Sequence, residues 1–162
     1  MLVRIAGVVP ESCVDGAGIR FAVFLQGCLH NCHGCHNPHT HDPNGGYALD
    51  TNEVIEQFKA NSLICGITLT GGEPLLQIPA AIELAKAAKS AVLNVWLYTG
   101  FTFEHLPPAS APLLDFVDVI VDGEFIISQR DLDLPFRGSR NQRIIDLNQS
   151  RSLKRIVLWQ SI

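Results

Sequence analysis

Short apolar runs that end in glycine, threonine or acid recur through this chain, and their order constrains the fold more than any other feature. Phe21–Leu25 leads into Gly27 and Cys28, Cys65–Leu69 into Gly71-Gly72-Glu73-Pro74, Val92–Tyr98 into Thr99-Gly100, and Phe116–Val121 into Asp122-Gly123. Apolar runs of this length bounded by turn formers predict buried strands. Leu2–Val9 predicts an earlier strand, and Arg143–Leu147 and Lys154–Trp159 two later ones. Helix signals lie between them. Asp50 and Glu53 have capping-box spacing, and Val54, Ile55 and Phe58 then form one apolar stripe. Pro79 suits the first turn of a helix running to about Ala91. Strands alternating with helices indicate parallel β/α units. At ~30 residues per unit the chain beyond Arg20 supplies about four to five units, where a complete barrel needs ~250 residues. A chain of 162 residues is therefore expected to form one α/β domain, residues 1–162, with half a barrel or an open, curved, mostly parallel sheet. All four polar motifs then fall at carboxyl ends of strands, where β/α folds build their sites.

Composition narrows the class. Hydrophobic residues make up 47% and charged residues 17%, a globular balance rather than a disordered one. A net charge of −4 argues against a general nucleic-acid binder. No apolar run approaches the ~20 residues of a membrane span. The first ten residues are too short an apolar stretch for a signal peptide. Five cysteines, an odd number, do not suit a complete disulfide framework, so a cytoplasmic protein with reduced thiols is expected. Charge is uneven: residues 1–129 carry a net −8 and residues 130–162 a net +4. The basic tail reads either as a solvated segment or as a docking face or anion contact.

The loop from Gly27 to Gly46 holds Cys28, Cys32 and Cys35, spaced C-x3-C-x2-C, among His30, His33, His36, His39 and His41. Three thiolates on a short loop suit an iron–sulfur cluster. A Cys3His zinc site is the rival, although its usual second ligand pair is absent; surface thiols without metal are the third alternative. Three ligands leave one iron of a cubane cluster open, which is how a metal site becomes catalytic. Cys13 and Cys65 stand apart. Either could supply a fourth ligand, but Cys65 opens an apolar run and is expected to be a small core residue.

The cysteine spacing resembles the signature of the radical S-adenosylmethionine superfamily, and Gly71-Gly72-Glu73-Pro74 resembles its second motif. Asp15-Gly16-Ala17-Gly18-Ile19-Arg20 is similar to a stretch of the activases of glycyl radical enzymes, with Ala17 where proline is usual. The tail from Leu134 to Asp146 resembles that of the activating proteins of anaerobic (class III) ribonucleoside-triphosphate reductase. The resemblance spans roughly residues 5–147 and implies a partial radical-SAM β/α barrel. Its parts would be a cluster loop at 27–46, an S-adenosylmethionine-binding core at 20–123 and a family tail at 130–162.

The resemblance also implies a 4Fe-4S cluster on Cys28, Cys32 and Cys35, with S-adenosylmethionine chelating the fourth iron. The implied partners are the large subunit of the reductase and an electron donor such as reduced flavodoxin, with no nucleic acid and no membrane. Gly71 and Gly72 would let the backbone approach the methionine moiety. Glu73 would meet the ammonium group or clamp the loop. Gly34, Cys35 and His36 would run beside the adenine. Thr99 and Asp122 would contact carboxylate, ribose or a cation, or serve only as strand-end turn residues. Arg137, Arg140 and Arg143 would pair with the ligand carboxylate or the partner's acidic surface, or lie free in a loop. His33 and His39 read as polar loop residues, and Trp96 and Trp159 as core. His36 and His41 replace a tyrosine and a tryptophan common in those activators, and Gly34 stands where the superfamily often has an aromatic. Activators of other glycyl radical enzymes, such as pyruvate formate-lyase, are the nearest alternative. A zinc-binding interaction module is the alternative of another class, and it gives Gly71–Glu73 no role; an electron carrier is a third.

Overall fold

In the computed structural model, which describes residues 1–160, β2 (Arg20–Leu25), β4 (Gly66–Gly71), β5 (Asn94–Tyr98) and β6 (Val119–Asp122) form a parallel set. Antiparallel strands flank it. On one side are β1 (Leu2–Ser12) and β3 (Tyr47–Asp50), on the other β7 (Arg143–Asp146). The sheet has seven strands in the order β3-β1-β2-β4-β5-β6-β7, so β3 and β7 are its edges.

Alternation along the parallel strands sorts their side chains onto two unlike faces. Phe21, Val23 and Leu25, with Ile67, Leu69, Val95, Leu97 and Ile120, face one side and are buried. There they meet α1 (Thr51–Ala60) and α2 (Ile78–Ser90). Helix α1 starts as its spacing predicts. The Asp50 carboxylate accepts the Asn52 N–H at 2.9 Å, and Glu53 accepts the Asp50 N–H at 3.1 Å. Its stripe of Val54, Ile55 and Phe58 is buried, and the Phe58 ring meets Phe21 edge-on at 6.1 Å. Burial stabilises by ~1.5–3 kcal/mol for each such side chain. Two shorter helices, α3 (Ala111–Leu114) and α4 (Leu147–Leu153), complete the α-helices among the described residues.

The opposite face carries Phe24, Thr68, Thr70, Trp96, Tyr98 and Val121. Loops rather than helices lie over it. Arg20 is buried there, donating to Thr68 Oγ1 (2.7 Å) and to the carbonyls of Ala17, Ile67 and Asn94, with Trp96 5.3 Å away. Burial lowers its pKa to about 10. The Asp15–Arg20 stretch is thus tied beneath the sheet by its own terminal arginine.

Several expectations need correction. Strand β3 has no counterpart among the expected strands, because Tyr47–Leu49 is a short edge pairing only with β1. The run from Val92 starts as a turn, with Val92 at φ 61°, and the strand begins at Asn94. The run from Phe116 likewise becomes a strand only at Val119. Lys154–Trp159 is no strand. Lys154 caps α4 in the left-handed conformation, and the segment after it makes one bridge, Leu158 to Ile145. Cys65 is exposed, its thiol near the Ala17 and Ile19 carbonyls, and is not a core residue. No helix among the described residues is long and apolar enough to cross a membrane.

Candidate active site

The strand order brings the four polar motifs to one end of the parallel set, as their positions in sequence require. A cavity of about 760 Å³ opens there and continues along the face that the helices leave uncovered. Cys28, Cys32 and Cys35 line it together with Gly71, Gly72 and Thr99. Cys65 lies at the amino end of β4, one strand length, about 20 Å, from Gly72. It is therefore excluded from any shared site with the other three thiols.

The cysteine loop is fixed at its neck. Gly27 N–H donates to Thr40 O (2.8 Å) and Cys28 N–H to His41 O (3.0 Å). The buried Gln26 amide donates to His39 O (3.0 Å) and Asp42 O (2.7 Å). Around the second and third cysteines the bonds include Cys35 N–H to Cys32 O (3.1 Å) and Asn37 N–H to Cys35 Sγ (3.4 Å). Burial pushes the Cys28 and Cys32 thiols up from their ordinary pKa. Among the described residues no three His, Cys, Asp or Glu side chains converge closely enough to hold a metal ion. The donor set nevertheless fits an iron–sulfur cluster. Three half-buried thiols face one cavity, and a backbone N–H already points at one sulfur, a contact that tunes such clusters.

Gly71 and Gly72 hold the second motif against that neck. Gly72 N–H donates to Leu25 O (2.8 Å) and Glu73 N–H to Gly27 O (2.7 Å). A Cβ on Gly72 would stand 2.3 Å from the Gly27 carbonyl oxygen, so only glycine allows this approach.

Glu73 is 1% exposed and fully engaged. It accepts from the Leu75 N–H (3.0 Å), the Thr99 hydroxyl (2.9 and 3.0 Å) and the Gly100 N–H (2.9 Å). His30 Nε2 lies 3.0 Å from Glu73 Oε2, and Nδ1 lies 3.0 Å from Glu124 Oε1. The Glu73 bond, with help from Glu124, raises the His30 pKa. In this arrangement Glu73 links the loop after β4 to Thr99, Gly100 and His30. In the sequence His30 is one of several loop histidines; its particular role depends on Glu124, 94 residues away, and no local signal carries it.

Thr99 lines the cavity, but its hydroxyl is given to Glu73. Asp122 does not line it. Its buried carboxylate accepts the Phe103 N–H (2.8 Å) and both Nε and Nη2 of Arg143, so it braces the end of β6. Arg143 also bonds Glu104, drawing that carboxyl down to about 2. Arg140 pairs with Asp131. Gly34 takes φ 74° at the loop tip, with Ile127 against it. The His36 ring packs on Phe125 at 5.0 Å, and His33 and His39 are exposed.

Comparison with known proteins gives the arrangement a context. A family described as a 4Fe-4S single cluster domain matches residues 14–145. The crystal structure of QueE from Escherichia coli superposes with a TM-score of 0.50 at 17% identity, covering 63% of this chain and 54% of that one, and so shares the fold. The anaerobic ribonucleoside-triphosphate reductase-activating protein of Vibrio cholerae is 34% identical over 143 residues, which is 83% of this chain and 92% of the relative. That of Haemophilus influenzae is 33% identical over 145 residues, with the same coverage of 83% and 92%. With likeness at this level over most of the chain, and a family match whose range spans the cysteine loop, the glycine pair and the arginine-bearing tail, the chain belongs to the family of anaerobic ribonucleoside-triphosphate reductase-activating proteins.

Proposed function

We propose that this chain is a radical S-adenosylmethionine enzyme that activates anaerobic ribonucleoside-triphosphate reductase by forming a radical on one of its glycines. The convergence of Cys28, Cys32 and Cys35 with Gly71-Gly72 on one cavity is the observation that carries this function. Cys28, Cys32 and Cys35 would hold a single 4Fe-4S cluster, leaving one iron for the amino and carboxylate groups of S-adenosylmethionine. Bound there, the cluster would supply one electron for reductive cleavage of the sulfonium to methionine and a 5′-deoxyadenosyl radical, which would take the hydrogen atom from the glycine.

The protein binds, orients and excludes water. Gly71 and Gly72 offer a backbone wall to the methionine moiety. Gly34, Cys35 and His36 run beside the adenine. Glu73, held by His30, Thr99 and Gly100, fixes the glycine pair against the cluster loop, and Asp122 braces the neighbouring strand end. The uncovered sheet face forms the concave side of a partial barrel. The partner is the large reductase subunit. The electron comes from a donor such as reduced flavodoxin, in the cytoplasm, where thiols stay reduced.

The test is anaerobic reconstitution with iron and sulfide, then reduction with S-adenosylmethionine present. 5′-Deoxyadenosine should form, and adding the reductase should produce a glycyl radical signal by electron paramagnetic resonance. A colourless protein holding stoichiometric zinc under these conditions would overturn the assignment.

A further inference from the structure

Three arginines punctuate the tail, and the fold treats them differently. Arg143 is committed to Asp122 and Glu104, and Arg140 to Asp131. Arg137 forms no ion pair among the described residues. It is also the one lysine or arginine lining the cavity, where the acids are Asp15 and Glu124.

Its position is over-determined by its neighbours. Phe136 takes φ 58°, a left-handed conformation that a bulky residue adopts only under constraint. The constraint is visible. The Phe136 ring packs edge-on against Trp96 (5.6 Å) and Trp159 (5.9 Å), and its carbonyl accepts the Tyr98 hydroxyl at 2.7 Å. On the other side Gln142 Oε1 accepts the Gly138 and Ser139 N–H groups, and Gln142 Nε2 donates to Gly123 O (2.9 Å), pinning the loop to the end of β6. Arg137 Nη1 donates to Gln142 O at 2.5 Å. That bond fixes one arm of the guanidinium. Nε is buried with no acceptor, and Nη2 has none among the described residues. A buried orphan donor in a site built this firmly calls for a ligand that satisfies it. The Nε–Nη2 edge is the fork that matches a carboxylate with two parallel bonds.

We propose that Arg137 is the anion-binding residue of this cavity and receives the carboxylate of S-adenosylmethionine. The assignment rests on the function proposed above and adds to it the group that distinguishes an amino-acid sulfonium from a simple one.

The experiment compares S-adenosylmethionine with its decarboxylated analogue, which keeps the sulfonium, adenosine and amine. Equilibrium dialysis against the reconstituted, unreduced protein gives both affinities without turnover. The wild-type protein should prefer S-adenosylmethionine, and in Arg137→Gln that preference should fall by roughly 10- to 100-fold, the range of a hydrogen bond to a charged group. The affinity for the analogue should hardly change. Arg137→Lys keeps the charge and loses the fork, and should fall between the two. An unchanged preference in Arg137→Gln, or an equal loss for both ligands, would overturn the assignment while leaving the activase function standing. A wild-type protein that binds neither ligand and forms no 5′-deoxyadenosine would remove the function itself, and the assignment with it. Iron content and analogue binding report whether each variant is folded; if Arg137→Gln is not, Arg137→Lys alone must show the reduced preference.

Discussion

Cys28, Cys32 and Cys35 sit on one loop at the carboxyl end of the parallel strands, while Cys13 and Cys65 belong to the opposite end of β2 and β4, so the five thiols have separable fates. Cys13 also lines the cavity, but from the β1–β2 connection, where Ser12 pairs with Arg20 at the amino end of β2. Replacing Cys28, Cys32 or Cys35 by alanine should abolish cluster formation, read as iron and sulfide content after reconstitution. Cys13→Ala should retain both. Full iron loading with any one of the three removed would show that the ligand set is wrong. Gly72→Ala tests the contact between the two motifs. Its Cβ meets the backbone of Gly27 and Thr40, which cannot swing away as a side chain could. The change should cost about 1–3 kcal/mol in denaturant unfolding, the range for overpacking. Unaltered stability would mean that the loops part freely. The cysteine spacing and the glycine pair were legible because each is a local pattern. His30 and Glu73 joining Thr99, Gly100 and Glu124 was not, since these residues come from four connections that only the sheet order brings together.

At the scale of elements, β2, β4, β5 and β6 were legible in outline because strands buried on both sides are written as apolar runs. Their starts were not. Val92 and Leu93, and Phe116 and Val117, are as apolar as the strands they precede, yet they lie in turns: Leu93, Phe116 and Val117 pack against the core, while Val92 is left exposed. Asp118 shows why the boundary falls where it does. Its carboxylate takes Lys89 Nζ (2.8 and 2.9 Å) from the end of α2, the Val95 N–H (2.8 Å) from β5 and Asn148 Nδ2 (3.0 Å) from α4. Burial alone would push its pKa up, but the bonds from Asn148, Lys89 and Val95 outweigh that and leave it below the ordinary value. A depressed folded pKa contributes stability above the unfolded value of ~3.9, and that contribution is lost as pH falls through the folded value. Asp118→Asn should therefore destabilise the protein by about 1–3 kcal/mol near neutral pH. The gap from wild type should narrow as the pH drops below ~4. A gap independent of pH in urea titrations would mean that shape and not charge is what the three elements share.

For the whole molecule, the uneven charge along the sequence is only partly paired in the fold, and Arg130, Lys154 and Arg155 stand exposed. Arg143 is paired with Asp122 and Glu104, Arg140 with Asp131, and Arg151 donates to the carbonyls of Leu114 and Val117. Phe136 and Trp159 of the tail pack on Trp96, so the tail crosses the uncovered sheet face at that point, while α4 returns to the helix side through Leu147. Only one face of the sheet has helices on it, and the edges β3 and β7 are four-residue strands that do not meet. The cavity is bounded by loops where a closed barrel would have more strands. On the proposed function, a carbon radical formed there would need a wall on that side, and a reductase presenting its glycine would provide one. Cleavage of S-adenosylmethionine should then be slow and unproductive for the reduced protein alone. With the reductase present it should accelerate, and the ratio of 5′-deoxyadenosine to glycyl radical spins should approach one. Both quantities come from the same quenched sample, by chromatography and electron paramagnetic resonance. If the isolated chain consumes S-adenosylmethionine as fast as the complex does, the uncovered face is already sealed and the half-open architecture has no part in coupling cleavage to hydrogen transfer.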